Sequence, residues 1–307
     1  MKKIFGVNLY FLILVLLQVF GGYILTPFAS FLHGRIWLSL LVTQIVFLIF
    51  PLLIYLIVTR QPVLATLRLK KLKLKYLPSV IGVSFLVYPI AIFLGLITNL
   101  FFKNNVTEVL QKMNSLPLWA FVLIIALTPA ICEEMTMRGI ILSGYNKMGT
   151  AGAAIITGFL FAVLHMNPPQ FLYTFALGII LVYLVRLTDS IFASMICHFM
   201  FNGINASISW FAARHSVKGN DITSMDPMLR NFAIGLYFIL AVMAVVGIVF
   251  VIRHIKNIST ENETIHLDKV DGTVAIESDN VVYKFIAYLP ILISVVFYIV
   301  YALNRAN

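Results

Sequence analysis

Long apolar stretches alternate with short polar connections along this chain, and the length of those stretches decides its class. A helix needs about 20 consecutive apolar residues to cross roughly 30 Å of hydrocarbon. Nine stretches approach that length, at approximately 8–28, 36–58, 77–102, 116–145, 149–166, 170–187, 190–211, 228–252 and 283–303. The fourth is overlong and carries charges, while the fifth and sixth are short, as suits helices buried within a bundle. The pattern predicts an all-α, polytopic transmembrane helical bundle with about eight or nine membrane-spanning helices. Short connections and the lack of a clear internal repeat point to a single membrane domain over residues 1–307. The first apolar run follows Met1-Lys2-Lys3, but Thr26-Pro27-Phe28-Ala29-Ser30 is a poor leader cleavage site, so the run reads as an uncleaved first span.

Composition agrees: 61% hydrophobic and 11% charged residues exclude a soluble domain of 307 residues, and the lipid bilayer is the expected solvent. A net charge of +10 would suit nucleic acid, but the bases are spread over connections as the positive-inside rule predicts, so no nucleic-acid partner is expected. Arg60, Arg68, Lys70, Lys71, Lys73 and Lys75 crowd one connection. Placing it and the amino terminus in the cytoplasm puts Arg138, Lys147, Arg186, Arg253 and Lys256 on or towards the same side. The alternate connections carry fewer, namely Arg35, Lys103, Lys112, Arg214 and Lys218. The expected location is therefore the plasma membrane, with a cytoplasmic amino terminus. Leucines interleave with the bases from Val63 to Leu77, which predicts an interfacial helix on anionic lipid. Residues 257–282 form the only long polar connection and hold six of the twelve acids: Glu261, Glu263, Asp268, Asp271, Glu277 and Asp279. Cys132 and Cys197 fall within apolar helices and are expected to be free, buried thiols.

Few acids lie inside the spans. A buried Asp at a helix centre costs roughly 2.5–3.5 kcal/mol on an insertion scale, and Glu is comparable. Glu133 and Glu134 qualify, in Glu133-Glu134-Met135-Thr136-Met137-Arg138-Gly139. Glu134 and Arg138 stand at i and i+4 and can pair along one helix face, whereas Glu133 points about 100° away without that partner. Two histidines are likewise intramembrane, in Phe161-x-x-x-His165 and His198-x-x-x-Asn202, while His33, His215, His254 and His266 fall in connections or at helix ends. At about 1.5 Å of rise per residue, antiparallel packing brings Glu133 and His165 within about 6 Å of one depth and leaves His198 shallower.

The chemistry follows from the groups. Glu134 is held ionised by Arg138, while Glu133, desolvated beside a like charge, is prepared as a general base for water. Attack on an amide needs donors for the developing oxyanion, and His198 with Asn202 one turn away supplies both. His165 would orient the water together with Glu133. A metal site is the alternative: His165, His198 and Glu133 as ligands of Zn²⁺, with an open position for water. Spacing does not choose between the two, and no His-Glu-x-x-His helix is present.

The order Glu-Glu-x-x-x-Arg, Phe-x-x-x-His, His-x-x-x-Asn on successive apolar helices resembles the CPBP family of CAAX prenyl endopeptidases and bacteriocin-processing enzymes, also called the Abi family. The resemblance covers roughly Leu116 to Ser207 as the core carrying the three motifs. It implies a membrane endopeptidase whose cavity opens to the cytoplasm, of metalloprotease or glutamate type. In it Glu133 activates water with His165, His198 and Asn202 stabilise the oxyanion, and Glu134, Arg138 and Phe161 support them. The residue before Arg138, often Phe in the family, is Met137 here. A membrane-bound peptide or protein substrate is implied, and a bacterial role in peptide or bacteriocin processing or self-immunity is favoured over a prenylated substrate. The contrasting reading is a catalytically silent scaffold or immunity protein that acts by binding. Rhomboid-type and aspartyl-type proteases lack their residues, since Leu142-Ser143-Gly144 is not Gly-x-Ser-Gly and every Asp lies in a connection or at a helix boundary. A transporter would show repeated halves with paired broken helices.

Overall fold

The computed structural model describes residues 2–104, 106–113, 115–215, 222–260 and 281–306. Among them no strand occurs, and eight helices are long and apolar enough to cross a membrane. In chain order they are α1 (Lys2–Leu32), α2 (Ile36–Thr59), α3 (Leu74–Asn99), α4 (Leu118–Gly144), α6 (Pro168–Thr188), α7 (Ile191–Arg214), α8 (Pro227–Ser259) and α9 (Val282–Asn304), with a shorter apolar helix α5 (Thr150–Leu164) between α4 and α6. The expected polytopic all-α bundle is what forms, and the fifth apolar stretch is the one that falls short of a full span. The polar connection expected at 257–282 lies outside the described residues from 261 to 280.

Packing divides the bundle into a buried centre and a lipid-facing flank. α5 runs against α6, α3 lies against α8, α6 and α7, and α7 packs on α4. α5 and α6 approach through Gly158 and Gly178: a Cβ on Gly178 would meet the Gly158 Cα at 2.7 Å. Small residues permit such close backbone contact, which is how membrane helices gain dispersion energy without a hydrophobic drive. α1 packs on α9, and Asn8 ties them to α4, donating to the Ala287 carbonyl at 2.8 Å and accepting from the Tyr145 hydroxyl at 2.6 Å. On α8 and α9 large apolar side chains such as Phe250, Val246, Val296 and Val300 are exposed, as acyl chains require and water would not tolerate.

Each end of the bundle is held by its own contacts. At one end the 60–76 connection is pinned to two others and to the end of α8. Arg68 donates to Asn146 Oδ1 at 2.6 Å, Lys70 pairs with Asp189, and Lys75 donates to the Ile258 carbonyl at 2.8 Å. These contacts replace the interfacial helix expected from Val63 to Leu77. Only Val63–Thr66 is α-helical, Arg68 adopts φ 50°, and the backbone beyond it is satisfied by Ser190 and Ile191. A left-handed non-glycine residue stops a helix, and the protein contacts hold it there. At the other end, Thr98 donates to the Pro169 carbonyl at 2.6 Å and the Trp210 indole to the Leu116 carbonyl at 2.8 Å.

Helix α4 is not uniformly α-helical. Wide, i→i+5 turns occupy Leu123–Leu127 and Met135–Ile141 on either side of Thr128–Glu134, and a third lies at Ile45–Ile49 in α2. Pro129 and Pro51 each stand two residues beyond the end of one of these. Proline removes an N–H from the ladder, and the wider turn accommodates the loss. Thr128 helps by donating its hydroxyl to the Leu123 carbonyl at 2.9 Å.

Candidate active site

The three helices that carry the polar motifs bring them together. Glu133 comes from the α-helical stretch of α4 between two wide turns, His165 caps the carboxyl end of α5, and His198 lies two turns into α7. Glu133 Oε2 is 3.9 Å from His165 Nε2 and 4.0 Å from His198 Nε2. That oxygen is buried and has no hydrogen-bond partner among the described residues. The expected depth offset of His198 is absent. Wide turns advance less per residue than α-helix, so the seven residues Met135–Ile141 shorten the path from Glu133 to the end of α4 and remove part of that offset.

The second carboxylate is arranged differently. Glu134 is fully buried, and its Oε1 accepts from Arg138 Nη1 at 2.9 Å and from His198 Nδ1 at 2.9 Å. The Glu134–Arg138 pair is the one the i, i+4 spacing predicts, while the bond to His198 is not visible in the sequence. Arg138 also donates to the Gly178 carbonyl at 3.3 Å and stacks over the Phe161 ring, 4.3 Å from its centroid. Phe161 further meets His165 and His198 edge-on, at 4.7 and 5.8 Å between centroids. This ring therefore packs all three cationic or imidazole groups of the site at once.

Hydrogen bonds settle the imidazole tautomers. His165 Nδ1 lies 2.7 Å from the Phe161 carbonyl, which can only accept, so Nδ1 carries the proton and Nε2 keeps a lone pair towards Glu133. The His165 backbone is held by Met166, which turns with φ 46° ahead of Pro168 and Pro169. His198 gives its Nδ1 proton to Glu134, so a second proton on Nε2 is needed before it can donate to an oxyanion.

Sequence reasoning left Glu133 without a partner, and the structure supplies one. Gln44, in α2, donates from Nε2 to Glu133 Oε1 at 3.2 Å. An amide in the middle of an apolar span was the available signal, because a polar side chain there is expensive unless it is bonded.

A cavity of about 950 Å³ opens onto these groups. Glu133, His165, His198 and Asn202 line it, with Asn167, Gln170, Tyr173 and Asn205 as further polar walls. A zinc ion held by two imidazoles and a carboxylate would sit about 2.0–2.2 Å from each donor. Among the described residues no three His, Cys, Asp or Glu side chains form such a group. Glu133 Oε2 stands 3.9 and 4.0 Å from the two imidazole nitrogens, somewhat wider than the roughly 3.4 Å between donors of a tetrahedral zinc, and the chemistry proposed below is carried by water and these side chains. Cys132 and Cys197 are both free and buried.

Comparison with known proteins adds one match. Residues 115–204 match the family described as Type II CAAX prenyl endopeptidase Rce1-like. The match supports the resemblance to CPBP membrane peptidases over that stretch, which contains every motif residue from Glu133 to Asn202. No curated protein and no solved structure matches the chain.

Proposed function

We propose that this protein is an intramembrane endopeptidase that hydrolyses a peptide bond of a membrane-associated peptide or protein with a water activated by Glu133. The observation that carries the proposal is the unpartnered Oε2 of Glu133, buried in a polar cavity between two imidazole Nε2 atoms at 3.9 and 4.0 Å. A water donating to two acceptors at about 2.8 Å each separates them by about 4.4 Å, close to the Glu133–His165 spacing. In that position the water donates one O–H to the Glu133 carboxylate and the other to the His165 lone pair, and its oxygen faces the cavity. As the C–O bond forms, Glu133 takes the proton, and it returns it to the leaving nitrogen as the C–N bond breaks. The Asn202 amide, and His198 when both its nitrogens carry protons, donate to the oxyanion. Glu134 holds His198 through Nδ1, and Arg138 balances Glu134.

The amino terminus and the basic 60–76 connection are assigned to the cytoplasm on charge bias, in the plasma membrane. The favoured substrate is a bacterial exported peptide or membrane protein, in peptide maturation, bacteriocin processing or self-immunity, rather than a prenylated carboxyl terminus. The test compares wild type with Glu133→Ala and His165→Ala in one host, following new peptide termini among membrane proteins by mass spectrometry. At least one cleavage should vanish in both variants; full processing in both would leave only the scaffold reading.

A further inference from the structure

We infer that the cavity takes its peptide from the extracytoplasmic side of the membrane, as an extended segment. This rests on the proposed proteolysis for its substrate class but on separate observations for its direction. Beyond the reacting groups, the walls run along one half of the bundle only. In α7 they extend from His198 to Ser209, in α4 they stop at Glu133, and in α3 they begin at Tyr88 and continue through Lys103 and Val109 beyond its end. No wall residue belongs to the 60–76, 145–149 or 189–190 connections. Those connections are tied to one another at the opposite end, through Arg68 to Asn146 and Lys70 to Asp189.

The charge bias orients these two ends. Six bases crowd residues 60–76, whereas the connection between α3 and α4, where the cavity opens, holds only Lys103 and Lys112. The more basic end stays in the cytoplasm, because bases near span ends resist translocation. The mouth therefore faces the other compartment, opposite to the cytoplasmic opening that the family resemblance implies.

Depth restricts what can enter. Glu133 lies 15 residues into α4 from Leu118, at most about 22 Å along the axis because the wide turn at Leu123–Leu127 advances less per residue. Six or seven extended residues, at about 3.3–3.6 Å each, bridge that distance. The walls there are amides and phenols, Asn104, Asn167, Gln170, Tyr173 and Asn205, which hydrogen-bond a polypeptide main chain without demanding a charge. The expected substrate is an unfolded terminus or strand-like segment of an exported or anchored protein.

The experiment labels single cysteines with a membrane-impermeant sulfonated maleimide, in a background in which Cys132 and Cys197 are replaced by alanine. Lys103→Cys and Ser209→Cys, at the mouth, should label in intact spheroplasts, and Lys71→Cys, in the basic connection, only after lysis. Any other pattern overturns the inference, including labelling of Lys71→Cys from outside or failure of the mouth positions to label. Processing by wild type and by Glu133→Ala is followed in parallel. Loss of processing in Glu133→Ala with reversed labelling would remove the direction alone. The expected labelling with unchanged processing would remove the proteolytic reading and leave the direction.

Discussion

Glu133 and Glu134 are adjacent in the chain, yet they meet different surroundings because helical geometry turns them apart. Glu134 has two charged or polar partners and no access to the cavity, so its removal should act first through stability. Breaking a buried pair costs about 3–5 kcal/mol, since it strands Arg138 without a counter-charge. We predict that Glu134→Ala lowers the unfolding temperature in detergent, and that Glu134→Leu combined with Arg138→Met recovers most of it. Activity should stay low in that double variant, because His198 has lost the acceptor for its Nδ1 proton. Gln44 acts on Glu133 alone. Loss of a hydrogen bond to a charged group is worth about 1.5–3 kcal/mol, so Gln44→Ala should slow turnover by roughly 10- to 100-fold. Its unfolding temperature should change little, and an unchanged rate would show that Glu133 needs no such support. At this scale the acids and histidines were legible because their burial is expensive. Gln44 was not, because one amide in an apolar span has many uses and the residue it meets is 89 positions away.

Among elements, the crossing of α5 and α6 sets where His165 points. Gly178 sits against Gly158 and also lends its carbonyl to Arg138. Gly178→Val should push the two helices apart at a cost of about 1–3 kcal/mol and displace His165 from Glu133. The expected result is a loss of turnover larger than the loss of stability, measured by processing and by thermal unfolding of the same preparation. Equal stability and equal turnover would show that the crossing does not position the site. The spans themselves were readable from apolar length, and most of their ends fall within about three residues of expectation, although α1 begins six residues earlier and α8 ends seven residues later. The wide turns around Thr128–Glu134 were not readable. They depend on which carbonyls Pro129 and the neighbouring helices leave to be satisfied, and a uniform helical rise consequently misplaced His198.

For the molecule as a whole, the three motif helices converge on one cavity, and the remaining spans brace or flank them. Helical rise anticipated that Glu133 and His165 would meet from separate helices, but not that His198 would join them at the same depth. The same convergence makes metal dependence testable. The proposed mechanism has Glu133 activate water without a metal, so it predicts that chelation leaves processing intact and that purified protein carries no stoichiometric zinc. Loss of activity on chelation, restored by zinc, would require the three side chains to close around an ion.

The central claim is that Glu133 turns water into the nucleophile. Once a cleaved peptide has been found, its most direct test is cleavage by the purified protein in a bilayer disc prepared in oxygen-18 water. Wild type should place one heavy oxygen in the new carboxyl group, and Glu133→Gln should lose about 10²- to 10⁴-fold in rate while keeping the fold. Cleavage by Glu133→Gln at the wild-type rate, or a product carboxyl without the heavy oxygen, would contradict the account.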